Sequence, residues 1–151
     1  MLINPEKVPE TKGSNYPEAL KKLVAGRSKK RLGDAARLTN FGVNLVKLEP
    51  GSWSSIRHWH LKQDEFIYIV EGEVKLVSNA GKQVLKPGDT AGFPAGEADG
   101  HHLINHSNST VIYLEIGDRT AEEQVIYPDE DLVANYNSGS WQFIHKDGSL
   151  Y

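Results

Sequence analysis

Two histidines and a glutamate, residue types that commonly bind metal ions, lie close together in the sequence. His58 and His60 are two residues apart, and Glu65 follows five residues after His60. Residues i and i+2 of a β-strand point to the same side, so the two imidazoles should face one way. After a short polar turn at residues 61–64, Glu65 begins a second strand, and antiparallel pairing of the two strands would place it opposite the histidines. Two nitrogens and one oxygen make up most of a transition-metal site.

A second stretch, residues 88–105, could supply the missing ligand. Gly88, Pro94 and Gly96 are residues that tight turns require, and they precede a predicted strand that begins at His101. A histidine from this strand, His101 or His102, would complete a site of three imidazoles and one carboxylate.

The elements that must position these side chains are short strands separated by closely spaced turns. From residue 38 onward there is almost no helical periodicity, which indicates an all-β sandwich or barrel. The predicted strands are residues 41–48, 53–60, 65–71, 73–77, 83–85, 90–93, 101–105 and 110–116. Residues 124–151 are predicted to add edge strands or a strap over the barrel.

The two histidine-bearing stretches resemble the two motifs of the cupin superfamily. Gly51, His58, His60, Glu65 and Gly72 follow the order of the first motif, with one additional residue after Gly51. The second motif is matched by residues 88–105, with two additional residues before its histidine. The surrounding sequence is similar to small single-domain cupins of bacteria, most of which have no assigned activity.

The resemblance implies a double-stranded β-helix, or jelly-roll barrel, and a complete ligand set. We therefore expect one cupin domain over residues 1–151, with an N-terminal arm (1–37), a barrel core (about 38–118) and a C-terminal extension (119–151). The spacing between His101 and Asn105 is that of the motif, which favours His101 over His102 as the third histidine, and His102 should point the opposite way. The expected metal ligands are His58, His60, Glu65 and His101. Buried together without a shared partner, such groups would cost several kcal/mol.

Composition excludes several other classes of function. The chain has no cysteine, which rules out disulfides and thiolate metal sites. Its formal net charge of -3 gives no sign of a basic surface that would bind nucleic acid or anionic lipid. The polar first residues do not look like a signal peptide, and no window is long and apolar enough for a membrane span, so we expect a cytoplasmic protein.

The ligand set leaves the metal and the reaction open. Three imidazoles and a carboxylate suit one divalent ion of manganese, iron, cobalt, nickel or zinc, and the resemblance favours Mn(II) or Fe(II). One hypothesis is a metalloenzyme, a dioxygenase, decarboxylase or isomerase, that oxidises, decarboxylates or isomerises a chelating small molecule. The alternative is a non-catalytic, metal-dependent binding or sensing module, since no acid–base residue is evident beside the ligands.

Two further features concern surfaces. Phe66, Tyr68 and Val70 lie opposite in parity to Glu65 and Ile67, so both faces of this strand are apolar and its outer face should be covered. We predict that a second subunit covers it and that the protein is a homodimer; the N-terminal arm is the alternative cover. The basic run at residues 27–31 would suit an anion site or a solvated turn, and the acidic composition favours the turn.

Overall fold

The computed structural model describes all residues 1–151, and most of the chain is β-structure. Its strands are β1 Glu10–Lys12, β2 Arg27–Arg31, β3 Phe41–Leu48, β4 Trp59–His60, β5 Glu65–Glu71, β6 Val74–Ser78, β7 Gly81–Leu85, β8 Thr90–Phe93, β9 His102–Ile104, β10 Val111–Asp118, β11 Glu122–Tyr127, β12 Leu132–Asn137 and β13 Ser140–Ile144. The helices are α1 Glu18–Lys21 and α2 Leu32–Ala35, with 3-10 turns at Pro5–Lys7 and Lys22–Val24. None of them has the length and apolar character that crossing a membrane requires.

The strands form three antiparallel sheets. The largest has six strands in the order β1-β2-β3-β10-β5-β8, the second has four in the order β13-β12-β11-β4, and the third has three in the order β7-β6-β9. Side chains of the six-stranded and three-stranded sheets share one buried core, which includes Val46, Ile69, Leu76 and Tyr113. A second core lies under the four-stranded sheet and includes Tyr16, Ile56 and Leu132. The predicted all-β jelly roll is confirmed.

Alternation of side chains along β3, β10 and β5 builds the inner wall of the barrel. In β5, Ile67 and Ile69 are buried whereas Phe66, Tyr68 and Val70 are about two-fifths exposed. Cross-strand register places the inward residues in rows. Each row therefore places side chains from three or four neighbouring strands side by side in the same part of the barrel interior.

Gly72 of the first motif is fixed by backbone geometry. Its φ is +81°, and a Cβ there would lie 2.9 Å from the Thr110 carbonyl oxygen. A residue with a side chain would be strained in this conformation and would collide with the neighbouring strand.

Two sequence expectations about local structure are wrong. The basic run is not a turn: it forms β2, which is hydrogen-bonded to β1 on one side and to β3 on the other. The two histidines and Glu65 are not on paired strands either. His60 in β4 pairs with Val125 of β11, whereas Glu65 in β5 pairs with Gly117 of β10 and with Phe93 of β8. The turn between them carries the chain from one sheet to another, so the two groups face each other across the barrel interior.

Candidate metal centre

His58 and His101 are held side by side by the backbone. The N–H of each residue donates to the carbonyl of the other, at 3.1 and 2.8 Å, which forms an isolated antiparallel bridge. The ring of His101 also stacks on Phe93 with 3.5 Å between centroids. The bridge joins the two motif stretches and fixes both imidazoles relative to each other.

Four predicted ligand residues converge at one place. The ligand atoms of His58, His60 and Glu65 all lie within 4.8 Å of one another. The Nε2 atoms of His58 and His60 are 3.2 Å apart, and Nε2 of His101 is 3.1 Å from Oε2 of Glu65. The structure thus brings together all four side chains, with three imidazole nitrogens around a single carboxylate oxygen.

The hydrogen bonds behind the rings determine what these nitrogens offer. Nδ1 of His58 lies 2.9 Å from the Ile56 carbonyl oxygen, and Nδ1 of His101 lies 3.2 Å from that of Asp99. A carbonyl only accepts, so each Nδ1 carries a proton and, in the neutral ring, Nε2 presents a lone pair. Lone pairs and a carboxylate converging on one point repel one another unless a cation lies between them. These residues therefore fit a bound metal ion.

The local field also favours a positive charge. Burial alone would lower the pKa of His60, but the Glu123 and Glu65 carboxylates outweigh burial and raise it to about 9. Burial would raise the pKa of Glu65, but the surrounding histidines hold it well below its usual range. A field that stabilises an imidazolium also stabilises a metal cation at the same point.

Glu123 supports His60 from behind, a role that the sequence analysis missed. Its carboxylate is buried, accepts hydrogen bonds from the backbone N–H groups of Leu61, Lys62 and Gln124, and lies 3.7 Å from Nδ1 of His60. The signal was present, because Glu123 has the parity of the buried Val125 in β11. At 3.7 Å the carboxylate acts on His60 through its charge and not through a hydrogen bond, and this charge favours a cation at the ring.

We expect Glu123→Gln to weaken metal binding by about 10- to 100-fold, the usual cost of losing a carboxylate that supports a ligand histidine. The dissociation constant can be measured by competition with a metal-binding dye. Glu122→Gln is the matched control, since Glu122 lies on the exposed side of the same strand and pairs with Lys62 at 3.1 Å. Equal affinities in the two variants would contradict the supporting role.

The ligand cluster opens into a cavity of about 640 Å³ that is lined by residues of both cores. Opposite the three-stranded sheet its wall is polar: Lys29 of β2 donates to Oε1 of Glu115 at 2.6 Å, and Asn44 donates to the same oxygen at 2.9 Å. Oε2 of Glu115 accepts no hydrogen bond. The ammonium of Lys29 outweighs burial and lowers the pKa of Glu115, which keeps the carboxyl ionised.

Sequence analysis also missed Glu115, although its parity could have revealed it. Glu115 alternates with the buried Val111 and Tyr113 along β10, so a carboxylate occupies the inward face of an otherwise apolar strand. Its partner Lys29 could not have been found in this way, because β2 has no apolar alternation.

The neighbours of His101 in the second motif lie outside the ligand cluster. His102 does not face outward: it is 5% exposed and packs edge-on against Trp53, and burial lowers its pKa to about 4. Asn105 is buried and donates to the carbonyls of Leu48 and Ser109, which fixes the turn. His106 is exposed.

The jelly roll and its histidine cluster are those of a cupin, and sequence comparison agrees. Residues 44–117 match the cupin domain family. A sugar phosphate isomerase of the cupin superfamily from Silicibacter pomeroyi DSS-3 has 41% sequence identity and a TM-score of 0.97, over 100% of this chain and 96% of that chain. The chain belongs to the cupin superfamily.

Other solved structures are more distant. A candidate sugar phosphate isomerase from Acidithiobacillus ferrooxidans ATCC 23270 has 32% identity and a TM-score of 0.75, over 80% of this chain and 77% of that chain. A predicted oxalate decarboxylase from Thermotoga maritima has 20% identity and a TM-score of 0.64, over 80% of this chain and 100% of that chain, and this is a likeness of fold alone. Among curated proteins there is no sequence match.

Proposed function

We propose that this cupin is a metal-dependent isomerase that interconverts the aldose and ketose forms of a phosphorylated sugar. The observation that carries the proposal is the Lys29–Glu115 pair, which places a free carboxylate oxygen in the same cavity as the ligand cluster. Isomerisation through an enediol needs a base that moves a proton between neighbouring carbons. The substrate class is taken from the relative with 41% identity, which is named a sugar phosphate isomerase.

The metal would be held by His58, His60, Glu65 and His101. Mn(II) or Fe(II) is proposed, since imidazole and carboxylate ligands suit both ions. When bound, such an ion polarises a carbonyl oxygen and makes the neighbouring C–H more acidic.

Glu115 is the proposed base. Lys29 and Asn44 both donate to Oε1, so Oε2 is free to receive a proton. In the reaction, Oε2 takes the proton from the hydroxyl-bearing carbon and returns it to the former carbonyl carbon, while the hydroxyl proton moves to the carbonyl oxygen. Atoms and electrons balance without any co-reactant.

The separation of the two groups is suitable for one small substrate. Glu115 is the register partner of Ile67, two residues along β5 from Glu65, and all three side chains face inward. One strand spacing across and two residues along correspond to roughly 8 Å between the backbones of Glu115 and Glu65. Both carboxylates therefore reach a single bound molecule.

The same pair weakens the case for a binding or sensing module. That alternative depended on the lack of an acid–base group beside the ligands, and Glu115 is such a group. Isomerisation is preferred to oxidation or decarboxylation because the relatives with 41% and 32% identity are named as a sugar phosphate isomerase and a candidate one.

Proton transfer to carbon gives a direct test. Metal-loaded protein is incubated with a panel of aldose and ketose phosphates in D2O, and the sugars are analysed by NMR. We expect interconversion of at least one pair, with deuterium incorporated at the carbon next to the carbonyl. If neither interconversion nor deuterium appears with any member of the panel, the isomerase proposal is wrong.

The outer face of the six-stranded sheet supports the further proposal of a homodimer. Phe66, Tyr68 and Val70 are 42%, 41% and 44% exposed, and the outward rows continue through Leu114 to Leu45. The N-terminal arm contacts this side of the sheet at β2, where Lys30 donates to the Pro5 carbonyl, but it leaves the three β5 side chains exposed. Contiguous apolar surface of this kind is typical of an interface.

We expect light scattering to give twice the chain mass of 16.8 kDa for the wild type and the single mass for Tyr68→Lys/Val70→Lys. Two ammonium groups buried without partners should prevent association. Val84→Lys is the control, because Val84 is 46% exposed but lies in β7, in another sheet. A monomeric wild type, or dissociation by the control, would contradict an interface at this face.

A further inference from the structure

A path without side chains crosses the cavity wall beside the ligand cluster. Gly42 of β3, Gly117 of β10 and Glu65 of β5 are partners in one inward-facing row, and both glycines line the cavity. A Cβ at residue 117 would lie 3.3 Å from the Asp64 carbonyl oxygen, so glycine also relieves crowding there. At residue 42 a Cβ would approach no atom closer than 3.7 Å. Packing alone therefore does not require glycine at position 42. The effect of having glycine there is that the path stays open.

Two arginines lie at the end of this path away from the metal ligands. The atoms nearest to a Cβ built at Gly42 are guanidinium nitrogens of Arg119. Arg31 pairs with Asn44, two residues from Gly42 on the same face, and also lines the cavity. The Arg119 guanidinium, beside Gly42, therefore stands about two strand spacings, roughly 10 Å, from the backbone of Glu65, and Arg31 is on the next strand beyond, β2.

The arginines differ in their partners. Arg119 forms an ion pair with Asp34 and donates a hydrogen bond to the Leu38 carbonyl. Lys29, on the same face of β2, is neutralised by Glu115. The side chain of Arg31 has neither a hydrogen bond nor an ion pair, so all five of its N–H donors are available.

We propose that Arg31, with Arg119 beside it, binds the phosphate of the substrate at the end of the glycine path. This inference rests on the proposed function and sharpens it, because it fixes where on the sugar the phosphate must be. With carbon–carbon bonds of about 1.5 Å, a chain of roughly five or six carbons and its phosphate ester span this distance. The substrate is thus phosphorylated on the carbon farthest from its carbonyl.

A solvated arginine that merely contributes to solubility is the competing interpretation. It does not account for the position of Arg31, which lies on the inward side of β2, in line with Arg27 and Lys29. The outward neighbour Lys30 is half-buried and donates to the Pro5 carbonyl, whereas Arg31 is exposed and lines the cavity with its donors unpaired. One variant that removes the charge of Arg31, on the inward side of β2, and another that removes the charge of Lys30, on the outward side, therefore distinguish the two interpretations.

The test is isothermal titration of inorganic phosphate into the metal-loaded wild type, Arg31→Gln and Lys30→Gln. Loss of a charge-assisted contact at Arg31 should weaken phosphate binding by at least about tenfold, with Lys30→Gln unchanged. Thermal melts of all three proteins establish that each is folded. Equal phosphate affinity in the three proteins, or no phosphate binding to the wild type, would overturn the proposal. None of these titrations requires turnover, so their outcome is separate from that of the isomerase assay.

A second titration distinguishes a sugar-phosphate site from a site for free phosphate. Ribose 5-phosphate should bind the wild type at least about tenfold more tightly than inorganic phosphate, because its other end reaches the metal ligands. Ribose 1-phosphate, which lacks a carbonyl end, should not show this gain. If inorganic phosphate binds as tightly as ribose 5-phosphate, the anion is not part of the substrate and the proposal fails.

Discussion

Replacement of either His58 or His101 by alanine is expected to abolish the metal binding that we propose for the wild-type protein. Protein expressed without a histidine tag in manganese- and iron-supplemented medium should contain close to one ion per chain by elemental analysis, and each variant less than about a tenth of that. Loss of a residue that only supports a ligand already costs about 10- to 100-fold in affinity, and loss of a ligand costs more. The backbone bridge between the two residues does not involve the imidazoles, so alanine at either position should leave it intact and remove only the ligand.

The control for this experiment is His106→Ala, because His106 is exposed and lies outside the cluster. It should keep the wild-type metal content. Metal retained in both His58→Ala and His101→Ala would place the ion elsewhere. A wild type that takes up no metal even after reconstitution would remove the basis for the proposed chemistry.

Glu115→Gln is expected to lower kcat by about 10²- to 10⁴-fold, the usual contribution of a general base. KM and metal content should change little, because the glutamine keeps the shape of the side chain and Glu115 is not a ligand. The measurement is steady-state kinetics of the pair of sugars identified by NMR. A higher KM with unchanged kcat would instead indicate that Glu115 has a role in substrate binding.

A structural role for the Lys29–Glu115 pair can be separated from a catalytic one. Replacing a buried ion pair by apolar residues of similar volume is often neutral or stabilising. Lys29→Met/Glu115→Leu should therefore melt near the wild-type temperature and bind metal, yet show no isomerisation. Retention of kcat in this double variant would exclude Glu115 as the base. Lys47→Met/Glu10→Gln, which removes an exposed ion pair 3.7 Å apart, is the charge-matched control.

Local patterns were sufficient to predict strand-like segments that turn residues bound. The predicted bounds of β3, β5 and β8 agree with the structure. The four-residue cluster could also be proposed from spacing, since the motif glycines and His101 fix where the chain must turn.

The remaining parts depend on pairing between distant segments. Arg27–Arg31 has no apolar residue, and it is a strand because the edge of β3 supplies its hydrogen bonds. Likewise, the pairing of His60 with Val125 is decided by a strand that lies more than sixty residues away in the sequence. The pairing of Lys29 with Glu115 has the same origin, so Lys29 does not look unusual in its own stretch.

The boundary of the family match separates two kinds of residue in the cavity. The four candidate ligands and Glu115 all lie within residues 44–117, whereas Lys29, Arg31 and Arg119 lie outside it, as does the aromatic wall of Tyr136, Trp141 and Phe143. The proposed reactive groups thus lie in the part of the chain that matches the family, and the proposed phosphate-binding groups lie in the flanking strands. Selectivity in such a scaffold can evolve, or be exchanged by grafting the two chain ends, without disturbing the chemistry at the centre.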